Sequence, residues 1–163
     1  FFQRMAKMFD FFNQQRQLIG HLLVALQFGL LLLLGGLAAP RVWLWDIPVI
    51  SLTLAGLSVV LAIWTLRHNR VGNFNVHPAP KTAGMLVTSG PYRLIRHPMY
   101  SAVLLGAAAL ALLGPMTVGL TVWVTLLWIL LAKAGLEERW MREHHSAYHT
   151  YCQQTKRFLP WVL

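Results

Sequence analysis

The stretch Gly90 to Tyr100, GPYRLIRHPMY, gathers two arginines, a histidine and two tyrosines directly ahead of one of the most apolar runs in the chain. Pro98 suits the first turn of a helix, where its missing N–H costs little. His97 then falls at or beside the N-cap, where free N–H groups and the helix dipole favour an anion. Arg93 and Arg96 add full positive charge, while Tyr92 and Tyr100 offer aromatic faces and hydroxyls. Such a cluster can hold a carboxylate or a phosphate at a membrane surface. The same residue types also serve as plain interfacial anchors that snorkel to headgroups.

A second polar stretch, GLEERWMREHHSAYHTYCQQTKRFLP from Gly135 to Pro160, carries Glu137, Glu138 and Glu143, three of the five acidic residues in the chain. One reading pairs Glu138 with Arg142 and Arg139 with Glu143 along a helix, contacts worth a few tenths of a kcal/mol. A sharper one sets Glu137 and Glu138 opposite the His97 cluster. That makes a pocket with one anionic and one cationic wall, suited to a zwitterionic or mixed-charge small molecule. His145 and His149 stand four apart beside His144, but no H-E-x-x-H motif is present and no metal is expected. Cys152 is the one cysteine, which excludes an intramolecular disulfide and a CxxC site. As a free thiol among apolar neighbours it is expected to be inert. Neither G-x-G-x-x-G nor a P-loop occurs, so no Rossmann or Walker-type site is expected.

These two stretches must be positioned by the rest of the chain, and its composition says in what solvent. Of 163 residues 56% are hydrophobic and 12% charged, far from a soluble globular protein and consistent with one membrane domain. The net charge of +9 raises nucleic acid as a partner. The bases, however, are dispersed between long apolar runs and form no face that could track a phosphate backbone. Four apolar segments approach the ~17 to 25 residues that cross hydrocarbon as helix. They run from about Leu18 to Ala39, Pro48 to Leu66, Pro98 to Gly114, and Met116 to Lys133. The last two, joined at Gly114-Pro115, predict a tight helical hairpin, with a re-entrant pair as the lesser alternative. The positive-inside rule supports four crossings: 13 of the 14 Lys and Arg fall on one side, leaving Arg41 alone on the other. Both termini are therefore expected in the cytoplasm. Since the sequence starts at Phe1, it is read as trimmed, and no A-x-A-like cleavage site follows the first apolar run.

Phe1 to Gln17, with Phe2, Met5, Met8 or Phe9, and Phe12 at helical spacing, predicts an amphipathic helix lying in the interface. His21 and Gln27 are read as interhelical packing contacts. Polar chemistry is left to a catalytic region, 67–163, built from the loop Arg67 to His97 and the tail after Lys133. The loop holds Gly72, Pro78, Pro80, Gly84, Gly90 and Pro91, which favour turns over one helix. Phe74, Val76, Met85, Leu86, Val87 and Tyr92 favour order, and loops of this length tend to be functional or disordered. In the tail, Trp140, His144, Tyr148 and Tyr151 recur at helical spacing and predict one C-terminal interfacial helix.

Taken in order around the hairpin, LVTSGPYRLIRHPMY at 86 to 100, Glu137-Glu138, Tyr148-x-x-Tyr151 and Pro160 resemble the isoprenylcysteine carboxyl methyltransferase family and its bacterial phospholipid-methyltransferase-like relatives. The resemblance covers about Arg70 to Pro160. It implies an all-α integral membrane enzyme, in a bacterial inner membrane, that transfers a methyl group from S-adenosylmethionine to a lipophilic acceptor. By position it implies that Leu86, Val87, Gly90, Tyr92, His97 and Tyr100 enclose the cofactor, with Glu137 and Glu138 closing the site. The cofactor's carboxylate would fall to His97 and the helix start, and its ammonium to a glutamate. A carboxylate acceptor needs no base, and Arg93, Arg96 or Arg139 would orient it. An amine or thiol acceptor must lose a proton, to Glu137 or His144. The acceptor is expected to enter sideways from membrane lipid. The chain departs from the eukaryotic enzymes in having two spans before the motif rather than more, and His144-His145 stands where Phe-Gly is usual. The alternatives are a membrane isoprenoid or sterol reductase using a nicotinamide cofactor, favoured by a similar Tyr-x-x-Tyr and proline ending, and a non-catalytic membrane interaction protein.

Overall fold

The computed structural model describes residues 2–69 and 86–160, with side chains from residue 14 onward. The connector calls at Gly72, Phe74, Val76, Pro78, Pro80, Gly84 and Met85 lie outside the described residues, as does the apolar face proposed for Phe2 to Phe12. The described residues form five α-helices: α1 (Phe2–Trp43), α2 (Val49–His68), α3 (Pro98–Ala111), α4 (Met116–His144) and α5 (Tyr148–Gln154). A single 3-10 turn, Gly90–Arg93, precedes α3.

Three of these helices, Gln14–Trp43 within α1, Val49–His68 and Met116–His144, are long and apolar enough to cross a membrane. The segment expected as the third crossing is a shorter apolar helix of 14 residues, about 21 Å long. Its length alone thus falls short of the four-crossing expectation. Arg41 Nη1 nevertheless donates to the Leu112 carbonyl at 3.4 Å, so the tip of the α3–α4 hairpin lies at the same end of the bundle as the α1–α2 turn. At the other end Arg16 bonds Glu143 at 3.3 Å, which fixes α1 antiparallel to α4.

Small residues set how closely the helices approach. Ala102, Gly106, Ala107, Ala109 and Ala111 leave α3 thin, and Ser58 of α2 donates to the Ala102 carbonyl at 2.7 Å. A Cβ on Gly119 of α4 would overlap the Ala111 carbonyl oxygen. Close backbone approach of this kind replaces the hydrophobic drive that is lost between helices in lipid. Leu34, Leu104, Val122, Leu126 and Leu130 fill the interior. Outside, Leu22, Leu26, Leu32, Leu52, Val60 and Trp128 are exposed, the distribution expected when the surrounding solvent is hydrocarbon.

Two boundaries differ from the sequence reading. The segment read as an interfacial N-terminal helix and the first span form one continuous α1. The expected fourth span does not stop at Lys133: α4 runs on to His144 because Leu136, Glu137, Glu138, Arg139, Met141 and Arg142 are all good helix formers. The single C-terminal interfacial helix is correspondingly split. Trp140 and His144 end α4, His145 turns extended at φ −129 and ψ 109, and Tyr148 and Tyr151 lie buried on α5.

Candidate functional site

The loop end enters the bundle through a shape only glycine fits. Gly90 has φ +58, and a Cβ there would collide with the His68 ring at the end of α2. From this turn the backbone of residues 95 to 97 runs beside the returning tail. Ile95 and Lys156 form an isolated parallel bridge, Arg96 N–H donates to the Lys156 carbonyl at 2.7 Å and His97 N–H to that of Arg157 at 3.0 Å. His97 is the N-cap of α3 and Pro98 its first residue. Tyr151 on α5 closes the other side, its hydroxyl donating to the Tyr92 carbonyl at 2.6 Å.

Into this frame α4 projects Glu137 and Glu138. Glu138 is buried, and four cations converge on its carboxylate: Arg96 Nε at 2.9 Å, His97 Nε2 at 3.3 Å, Arg157 Nη2 at 3.0 Å and Arg142 Nη2 at 3.5 Å. Arg96 also donates to the backbone carbonyls of Cys152, at 3.2 Å, and Thr155. Glu137 is less enclosed, its side chain 22% exposed, and takes His97 Nδ1 at 3.3 Å. The Tyr100 hydroxyl donates to its other oxygen. His97 therefore bridges the two carboxylates, one ring nitrogen to each. The anions facing this helix start are the protein's own.

These contacts set protonation. Burial alone would lower the His97 pKa, but hydrogen bonds to Glu137 and Glu138, and their charges, outweigh it and raise the pKa above 6.5. A carboxylate oxygen at each ring nitrogen favours the imidazolium form. Burial, reinforced by the negative charge of Glu137, pushes the Tyr92 hydroxyl up to about 12, leaving a neutral donor. Burial likewise raises Tyr148 and Tyr151.

The structure brings Gly90, Tyr92, Arg96, His97, Tyr100, Glu137 and Glu138 together. Leu86 and Val87 are half-buried just ahead of the 3-10 turn, whereas Arg139 is exposed on α4. Glu143 bonds Arg16 rather than closing the expected helical pair with Arg139, while the Glu138–Arg142 pair does form. Gln27 makes the interhelical contact read from the sequence, accepting from Lys133 Nζ at 2.9 Å; His21 bonds the Gln17 carbonyl one turn back. Among the described residues no group of His, Cys, Asp and Glu could hold a metal. Sequence reasoning missed Arg157 and Phe158. Arg157 completes the Glu138 network, and Phe158 sets its ring edge-on to both His97 and Tyr100, centroids 6.0 and 6.1 Å away. The one signal was arithmetic: a buried carboxylate in a chain of 14 bases needs cations from somewhere.

Beside the cluster, Arg93, Gln153, Gln154, Thr155, Lys156 and Pro160 line a shallow depression. The donor set fits a cofactor with a carboxylate, an ammonium and a sulfonium: Glu137 is a partly exposed carboxylate for the positive groups, and Arg93 and Lys156 in the depression are bases for the negative one.

A family model described as Phospholipid methyltransferase matches residues 47–148. That interval runs from the turn before α2 to the start of α5 and contains both polar halves of the cluster, leaving α1 and Arg157 outside it. A comparison with curated proteins found no match.

Proposed function

The chain belongs to the phospholipid methyltransferase family and is a membrane methyltransferase acting on a lipid or lipophilic substrate, and from that premise we propose that it takes the methyl group from S-adenosylmethionine at the His97–Glu137–Glu138 cluster. What carries this reading is the meeting of the loop end with the α4 carboxylates through His97, bonded at 3.3 Å to each. When bound, S-adenosylmethionine supplies a methyl group on a positively charged sulfur, which leaves as the neutral thioether. The protein's share is alignment, which can lower such a barrier by as much as about 7 to 11 kcal/mol.

The two glutamates divide the work. Glu138, enclosed by four cations, holds Arg96 and His97 in place on the cofactor side. Glu137 keeps an exposed edge and has Tyr100 and His97 as its only neighbours among the bonds above, so it faces the reactants. For an amine or thiol acceptor it receives the proton; for a carboxylate acceptor Arg139, exposed on α4, orients the headgroup. Leu86, Val87, Gly90, Tyr92 and Tyr100 wall the cofactor. The depression beside Arg93 and Lys156 offers its soluble end an approach.

The end of the bundle bearing Arg16, His97 and Glu143 is the cytoplasmic one, with both termini on that side and α3 completing a fourth crossing. Supporting this, the hairpin tip meets Arg41 at the opposite end. Residues 1–163 act as one membrane domain, with 67–163 as its catalytic region, in a bacterial inner membrane. Neither the fold nor the family match favours a nicotinamide reductase or a non-catalytic anchor.

Calorimetry with S-adenosylhomocysteine on the protein in detergent tests the cofactor, and labelled methyl donor with membrane extracts tests the reaction. Wild type should bind and transfer, and Glu137→Gln should lose about a hundredfold or more in kcat for an amine acceptor. Absence of binding by wild type, or full activity in Glu137→Gln with such an acceptor, would remove the site as drawn.

A further inference from the structure

Lys133 is the least expected residue in the bundle. It stands midway along α4, is 1% exposed, and has a neutral oxygen, Gln27 Oε1, as its hydrogen-bond partner at 2.9 Å. An ammonium in the interior of a membrane protein is costly and marks function more often than stability. Its second contact says which function. Nζ lies 5.1 Å from the centre of the Tyr100 ring, the same ring that stacks on His97 at 5.3 Å and whose hydroxyl donates to Glu137. A cation over a phenol ring is attracted by its π face. It also draws electron density from the ring, which makes the hydroxyl a stronger donor.

We propose that Lys133, carried by Gln27, is a positioning residue that aims the Tyr100 hydroxyl at Glu137. The route runs from α1 through α4 to α3 and back to α4: Gln27 orients Lys133, Lys133 fixes the Tyr100 ring, and Tyr100 fixes Glu137, the carboxylate of the cluster left partly open. Its catalytic consequence rests on the reading of Glu137 as the group facing the reactants. It also gives α1 a part in the site, although α1 lies wholly before the family match, which begins at residue 47. A purely structural pair does not account for the arrangement. Met and Leu at these two positions would fill the same space without a buried charge, and such replacements are often neutral or stabilising.

The test separates positioning from stability and from the reaction itself. Glutamate labelled with 13C at the side-chain carboxyl reports on three groups, Glu137, Glu138 and Glu143, assigned by the loss of one signal in Glu137→Gln. In the full chain in detergent, the double variant Gln27→Leu/Lys133→Met should melt at or above the wild-type temperature and yet shift the Glu137 signal, with Glu143 unmoved. Lys133→Arg, which keeps a cation near the ring, should return that signal towards its wild-type position. In turnover, the double variant should lose about ten- to a hundredfold in kcat with the acceptor KM unchanged. Glu137 lies one turn beyond Lys133 on α4 and their charges also act on each other directly, so the double variant is repeated in a Tyr100→Phe background, where it should move the Glu137 signal no further. A Glu137 signal that stays in place in the folded double variant overturns the proposal, as does one that moves equally in Lys133→Arg or in the Tyr100→Phe background. If wild type transfers no methyl group, the functional reading fails, and the carboxyl signal alone decides the coupling.

Discussion

The two ends of the bundle each carry an arginine–carboxylate pair, and they differ in almost everything that gives such a pair weight. At the α1–α2 turn, Arg41 and Asp46 approach to 3.7 Å with side chains 47% and 74% exposed. At the other end, Arg96 and Glu138 lie 2.9 Å apart with side chains 10% and 1% exposed. An exposed pair gains about 0 to 1 kcal/mol because water screens it and two long side chains must be ordered. A buried one is held by an unforgiving balance, since removing either partner strands the other charge away from water. The lesson is that one acid, Glu138, sits where it cannot be removed singly, whereas Asp46 and Glu143 meet their arginines within reach of water. Glu137 and Glu138 repeat the contrast on a smaller scale: one is saturated and one keeps an open edge.

The largest effect that tests this contrast is at Glu138. Glu138→Ala leaves Arg96 and His97 buried without their shared anion, and should destabilise the protein by about 3 to 5 kcal/mol. Thermal unfolding in detergent measures it. A loss below about 1 kcal/mol would mean that the four cations find water or other partners, and the two ends would then be alike.

Much of this end could be read before folding. Pro98 marked the start of α3, with His97 at its N-cap, because proline at N1 is a local rule that needs no tertiary knowledge. The hairpin at Gly114-Pro115 followed from the same kind of rule. The extent of α4 was misread because Lys133 looked like the end of an apolar run, where lysine ordinarily snorkels outward. Its burial depends on Gln27, which is 106 positions away and leaves no mark in local spacing. Arg157 was invisible for a related reason. It reaches Glu138 through a backbone crossing at Ile95 and Lys156, and a single bridge is too short to print an alternating pattern. Membrane class and family were legible because they rest on composition and on contiguous motifs. The local Glu138–Arg142 pair was legible too, but the contacts of Arg157 and Lys133 were not, because those are decided by how distant segments return.

A smaller effect sharpens the comparison through pH. The His97 pKa is raised above 6.5 by two carboxylates that outweigh its burial. Its contribution to stability is therefore fully present below pH ~6.5, where the unfolded chain is also protonated. The contribution is lost as pH rises from there through the folded-state value. Melting temperature of wild type relative to His97→Gln should fall across that window. A difference that stays flat, or that grows with pH, would mean the imidazole is neutral between the two glutamates.

The smallest effect belongs to the exposed end. Asp46→Asn removes the partner of Arg41, but Arg41 keeps water and its bond to the Leu112 carbonyl at 3.4 Å. The expected loss is at most about 1 kcal/mol, shrinking further in high salt because a Debye length of about 3 Å at 1 M is shorter than the pair's separation. Methyl transfer should be unchanged, since among the described residues no bond links this turn to the His97 cluster except through the full length of the helices. A loss as large as that at Glu138 would show that the α1–α2 turn, and not burial of charge, governs the bundle. In that case Arg41 would be clamping the hairpin tip, and Arg41→Gln would cost more than Asp46→Asn.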